Sequence, residues 1–126
     1  MKKLLIENFC YVVGLETDKK INNEIYASIN PTEHIIAISN TLNKDDRMLN
    51  FLHEILHAIF CHSNLRLSKE VEELLIIRIS RALTVFFTQN NFDKPFRDFC
   101  KDLIPFEFED MHKNATKIIA EYNKIV

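Results

Sequence analysis

Apolar residues in the first forty positions come in short runs divided by turn chemistry. In "KLLIENFCYVV" Glu7-Asn8 parts two apolar stretches, the pattern of a two-residue hairpin. "NEIYASINPTEHIIAIS" follows with two Ile-rich runs around Asn30-Pro31-Thr32-Glu33, a segment suited to a turn. In the first of these runs Ile25, Ala27 and Ile29 alternate with Tyr26 and Ser28, the period of a half-buried strand. The second, His34 to Ile38, is apolar more continuously.

The period then changes to that of helices. Asn43 is placed to cap, Asp45 and Asp46 fall in a first turn where the helix dipole favours acids, and the apolar pattern starts at Met48. Met48, Leu52, Ile55 and Ile59 form one stripe, with Leu49, Leu56 and Phe60 beside it, and the helix is expected to end near Cys61-His62. After a short loop, Ser68 can cap a second helix reaching about Gln89, led by Glu70, Glu72 and Glu73 and carrying a broad apolar face from Val71 to Phe87. Asn90-Asn91 and Pro95 interrupt it. A short helix, a break at Pro105 and a closing helix over about 109–124 complete the chain. The expected class is α+β. A small antiparallel sheet of about three or four strands in the N-terminal third packs on two long helices, with one or two more helices after them.

Composition narrows the function. The 126 residues suit one domain, 1–126, with a C-terminal part from about 91 of unassigned role. A net charge of −2 supplies no basic field for a phosphate backbone, so no nucleic-acid partner is expected. A single glycine argues against phosphate-cradling loops and dinucleotide folds. Cys10, Cys61 and Cys100 are odd in number and form no CxxC pair, which reads as reduced thiols. The N-terminus opens with two lysines and a short apolar run, but Glu7-Asn8 interrupts it and no small-residue cleavage site follows. No run approaches the ~18 apolar residues a membrane span needs. A soluble cytoplasmic protein without a membrane partner is the expectation.

One segment carries chemistry. His53-Glu54-Ile55-Leu56-His57 matches H-E-x-x-H, the zinc metallopeptidase signature. Residues four apart lie one turn above each other on one helix face, so both imidazoles can address one ion at about 2.0–2.1 Å. Zinc lowers the pKa of its water towards neutrality, and Glu54 can take the proton. Chance gives this pentapeptide in roughly 2 of 100 shuffled chains of this composition, so context has to support it. An apolar helix carrying two imidazoles and a carboxylate with nothing to satisfy them would be costly, and a metal satisfies them.

A third ligand has to come from elsewhere. Cys61 continues the stripe of His53 and His57, but eight residues of helix rise about 12 Å, too far for one ion. His62 is turned off that face, and His34 and His112 are distant in sequence and read as ordinary histidines. Glu72 and Glu73, on a helix folded back beside the first, are the better candidates. Sharing a face with Leu75, Ile79 and Leu83 slightly favours Glu72.

The order of strand, turn and strand ("EIYASINPTEHIIAIS"), the capped helix with "LHEILHAI", and the acid-led helix "EVEELLIIRISRAL" resembles a known group. It is similar to the small phage- and prophage-encoded proteins related to the ImmA/IrrE zinc peptidases, over roughly residues 1 to 90. The resemblance implies a gluzincin-like site with His53 and His57 as ligands, Glu54 as general base and a glutamate of the second helix as third ligand. Ile79 and Ser80 match the large and small residues that follow that glutamate if it is Glu73. It implies a zinc-dependent hydrolase cutting an intracellular peptide or protein substrate, with the strand at His34–Ser39 edging the cleft. The chain departs from the group at Ile77, where many relatives carry Asn or Asp as an orienting partner. The alternative is a catalytically silent module that keeps the fold, with or without zinc, for binding or regulation, its "FEFEDMHK" segment serving as contact surface or lid. For an oxyanion the chain offers Tyr26, Arg81, His112 and Tyr122, none favoured over the others.

Overall fold

The computed structural model describes residues 2–16, 27–103, 105–106 and 108–125. Its elements are β1 (Lys2–Ile6), β2 (Phe9–Glu16), β3 (Ala27–Asn30), β4 (Ile35–Ser39), α1 (Lys44–His62), α2 (Lys69–Gln89), α3 (Lys94–Lys101), β5 (Pro105–Phe106) and α4 (Phe108–Ile125). The class is α+β, as the apolar pattern indicates.

Local chemistry sets the turns. Glu7 and Asn8 both have positive φ, 49° and 67°, which a two-residue hairpin between antiparallel β1 and β2 requires. Asn30 Oδ1 accepts from the backbone N–H groups of Thr32 (3.1 Å) and Glu33 (3.0 Å) and so shapes the β3–β4 turn. Ala27 and Ile29 are half-buried between exposed Ser28 and Asn30, as alternation requires; Ile25 and Tyr26 lie outside the described residues.

The sheet is mixed, which corrects the expectation of an antiparallel one. Its order is β1-β2-β4-β3, with β4 parallel to β2 and β5 also pairing parallel with β2. The reason lies in burial. Tyr11–Glu16 and Ile35–Ile38 are buried throughout, so both strands need cover on two faces and occupy the middle. Alternating β3 takes the edge instead, antiparallel to β4, and β4 therefore enters between β2 and β3 running the same way as β2. The strand at His34–Ser39 is thus central and cannot edge a cleft; β3 can.

Each sheet face has its own cover. Tyr11, Val13, Leu15, Ile36 and Ile38 meet Phe51 and Ala58 of α1 and Cys100 of α3, with Phe51 stacked on Phe99 at 5.0 Å. Val12, Ile35 and Ala37 on the other face pack against Ala115, Ile118 and Ile119 of α4. The closing helix therefore completes the core on the side away from α1 and does not cover the HEILH segment. Helix α2 rests on α1 and buries only Ile76 and Ser80, leaving Val71, Leu74, Val85 and Phe86 about half exposed. Among the described residues no helix is long and apolar enough to cross a membrane.

The capping residues act as read. Asn43 Oδ1 accepts from Asp46 N–H at 2.8 Å, and Ser68 Oγ from Val71 N–H at 3.3 Å. Asn64 and Asn91, at φ 57° and 60°, follow α1 and α2 in the left-handed region that glycine more often fills. Asn43→Ala leaves an N-terminal donor of α1, the helix carrying His53 and His57, without its cap. It should cost about 1 kcal/mol, a fall of about 4 °C in a thermal melt.

Candidate metal centre

Helix α1 places His53 and His57 one turn apart, facing α2. Position 54, turned 100° from position 53, falls between Phe51 and Ala58 on the buried face of the same helix. Ligand and base candidates thus belong to one rigid element, separated only by the helical rotation.

Helix α2 returns beside α1 and points Ile76 and Ser80 at it. Glu72 and Glu73 flank the line those two residues draw, one turn earlier, so both carboxylates reach α1. Their roles differ. Glu73 meets both imidazoles, with Oε1 at 3.0 Å from His53 Nε2 and Oε2 at 2.9 Å from His57 Nε2. Glu72 takes the other nitrogen of His57, its Oε2 lying 3.0 Å from Nδ1. The resemblance favours Glu73 as third ligand and the side-chain geometry agrees, whereas the shared apolar face slightly favours Glu72. Glu72 instead occupies the position of a carboxylate that orients a ligating histidine. An Nδ1–H donated to Glu72 leaves the Nε2 lone pair of His57 directed inward.

The donor set fits a small divalent cation. His53 Nε2 and His57 Nε2 are 3.2 Å apart, and the ligating atoms of His53, His57 and Glu73 all lie within 4.8 Å of one another. A tetrahedron with arms of about 2.0–2.1 Å has corners about 3.3–3.4 Å apart, close to these separations. Two imidazole nitrogens and a carboxylate oxygen, with solvent on one side, suit zinc with an open coordination position. Burial of the histidines adds to the case. Desolvation holds His53 below its ordinary pKa, against the opposing pull of the Glu73 charge and with a further push from His57. A lowered pKa disfavours the imidazolium, the form that cannot ligate.

Glu54 is 7% exposed. Burial lifts its carboxyl from an ordinary 4.5 to about 7, with His57 pulling it down and Glu73 pushing it up. A carboxylate poised near neutrality beside the ligands is what a general base at physiological pH requires.

The centre opens into a cleft of about 400 Å³ between α1 and α2, lined by Leu42, Asp46, Leu49, Asn50, His53, Glu73, Ile77, Ser80 and Arg81. Ile77 is part of its apolar wall. It offers His57 no polar partner; the carboxylate at His57 Nδ1 is that of Glu72.

The remaining candidates separate from the site. Cys61 is exposed, while Cys10 and Cys100 are buried, and all three are free thiols. His62 Nε2 is 2.5 Å from the hydroxyl of buried Tyr11, whose ring stacks on His34 at 4.8 Å. His112 pairs with Glu33 at 3.0 Å, and Tyr122 belongs to α4, which packs on the far side of the sheet. Of the four oxyanion candidates Arg81 lines the cleft, and Tyr26 lies outside the described residues. What sequence reading did not assign is the orienting role of Glu72 and the joining of Asp46, Asn50 and Arg81 in one cleft. The i, i+4, i+7 and i+8 spacing of Glu73, Ile77, Ser80 and Arg81 was the available signal for the second.

Loss of an orienting carboxylate commonly costs 10–100-fold in metal affinity. Glu72→Gln should weaken zinc binding by about that factor in a competition titration with a chromophoric chelator, without abolishing it.

Comparison of the chain with protein-family models, with curated proteins and with solved structures finds no match. The functional reading rests on the geometry of the site itself.

Proposed function

We propose that the chain is a zinc-dependent peptidase, related to the ImmA/IrrE group that its sequence resembles, acting on an intracellular protein. The observation that carries this reading is the meeting of His53 Nε2, His57 Nε2 and the Glu73 carboxylate at 2.9–3.2 Å, beside a buried Glu54. Two histidines and a glutamate alone would describe many metal sites. A fourth residue that can carry a proton, one helix position from a ligand, turns the set towards hydrolysis.

When bound, zinc supplies a Lewis acid for the scissile carbonyl and acidifies a water towards neutrality. The residues of this chain do the rest. His53, His57 and Glu73 hold the donor geometry from two packed helices, and Glu72 holds the ring of His57 in register. Glu54 takes the proton of the attacking water and delivers it to the leaving amine, so its carboxyl must be ionised at the start and protonated midway. Burial that raises its pKa to about 7 makes both states accessible at neutral pH. Leu42, Leu49 and Ile77 give the cleft apolar walls for substrate side chains.

The test is Glu54→Gln. It should keep one zinc per chain while cleavage of peptide or unfolded-protein substrates disappears. Cleavage that survives this change overturns the assignment of Glu54, and zinc binding without cleavage in the unmodified protein overturns the peptidase reading.

A further inference from the structure

The cleft beside the metal centre carries a charge that the reaction does not use. Arg81 lines it, eight residues beyond Glu73 on α2. Eight residues of helix advance about 12 Å, and the side chain leans back towards the helix N-terminus. The Arg81 backbone stands roughly two turns beyond that of Glu73, towards the far end of the cleft. Among the described residues its guanidinium has neither a hydrogen-bonding nor an ion-pair partner. Its own helix offers none: positions 77, 84 and 85 are Ile77, Thr84 and Val85, and position 78 is a second arginine. An unpaired guanidinium at a cleft wall is a ready site for a carboxylate, which it can grip through two parallel N–H donors.

Apart from Glu73 at the centre itself, one other acidic group faces the same space. Asp46 lines the cleft from α1, seven residues before His53. It sits in the first turn of α1, where the helix dipole already compensates a negative charge. Arg81 sits mid-helix with no such compensation, so it is the charge in the cleft that gains most from a partner. Between these groups and the metal centre the walls are Leu42, Leu49 and Ile77, with Asn50 and Ser80 as hydrogen-bonding groups.

We propose that this cleft selects peptide segments with an apolar side chain beside the cleaved bond and a carboxylate, on Asp, Glu or a chain end, about three to four residues away, bound by Arg81. The spacing follows from the helix advance divided by the rise of an extended chain, about 3.3–3.6 Å per residue. The inference rests on the peptidase reading for the cleaved bond, but the carboxylate subsite exists independently of turnover.

The test uses fluorescent, end-capped decapeptides of leucine and alanine in which one Glu, Gln or Lys is moved along the chain. Binding is read by anisotropy on the zinc-loaded Glu54→Gln protein, and cleavage is mapped by mass spectrometry on the unmodified protein. A Glu about three to four residues from the leucine at the cleft should tighten binding about tenfold over Gln, with Lys weakest. Arg81→Met should remove that preference, Arg81→Lys should restore part of it, and Asp46→Asn should enlarge it. Equal binding of the Glu and Gln peptides, or a preference that survives Arg81→Met, overturns the proposal. The two readings separate cleanly. Cleavage without a charge preference leaves the peptidase standing and removes the subsite, while an Arg81-dependent preference without cleavage leaves the subsite standing and removes the peptidase.

Discussion

Purified protein loaded with zinc should hold one ion per chain by elemental analysis, and His53→Ala, His57→Ala and Glu73→Gln should each lose it. The three ligating atoms lie within 4.8 Å of one another, on two helices locked together by Ile76 and Ser80. No other described side chain joins that group, so a lost ligand has no ready substitute. Binding to the folded state alone also stabilises it. At zinc a hundredfold above its dissociation constant the gain is about 2.7 kcal/mol, or about 10 °C in melting temperature for a chain of this size. The ligand variants should melt near the unmodified protein in chelator and fail to respond when zinc is added. A variant that melts low in chelator as well would show that the histidines hold the helix pair together without metal. Equal melting with and without zinc in the unmodified protein would remove the metal centre altogether.

That comparison separates two jobs of one helix. Met48, Phe51, Leu52 and Ala58 bury α1 against the sheet, while His53 and His57 face α2 at about one-fifth exposure. The core residues hold the helix whether or not the ligands are occupied, so the site can be varied without dismantling the fold. Glu54 is the exception: it is a carboxyl on the core side of the helix, and burial raises it to about 7.

What could be read from the residues, and what could not, follows from the range of each interaction. The starts of α1 and α2 were legible because Asn43 and Ser68 cap through bonds to residues three positions away. The β1–β2 and β3–β4 turns were legible for the same reason. Strand order was not, because the choice of β4 over β3 as neighbour of β2 depends on which strand needs two covered faces, a property of the assembled core. The two-residue β5 carries no pattern of its own. At the site, His53, Glu54 and His57 are one local motif on one helix. The second helix offers adjacent acids 100° apart, and its sequence does not say which nitrogen of which imidazole each will meet. Packing decided that: Glu73 meets both Nε2 atoms and Glu72 meets Nδ1 of His57.

Glu54→Gln should leave a second signature, in the stability of the metal-free protein. The folded chain holds the Glu54 carboxyl at about 7 against an ordinary 4.5, chiefly through burial. Between those values the folded state binds a proton that the unfolded state has released. Stability contributed by Glu54 is therefore present at low pH, declines as pH rises through about 4.5 to 7, and is lost above that window. The full difference is on the order of 3 kcal/mol. His53 acts with the opposite sign, because its pKa is lowered in the folded state. Its contribution is present above the ordinary histidine range and is lost as pH falls below it. The two slopes oppose each other in the unmodified protein, so the informative quantity is the difference between it and Glu54→Gln. In chelator, that variant should gain on the unmodified protein as pH rises from 5 to 8, by on the order of 2–3 kcal/mol in denaturant unfolding. Zinc should shrink the gap, since a cation beside the carboxyl favours its ionised form and lowers its pKa. A pH-independent gap would mean that Glu54 titrates alike folded and unfolded, and so that burial does not tune it. A gap that narrows with pH would reverse the sign and place Glu54 in an environment that stabilises its charge. The burial that sets the Glu54 carboxyl near neutrality is the same burial that destabilises the metal-free fold above that pH.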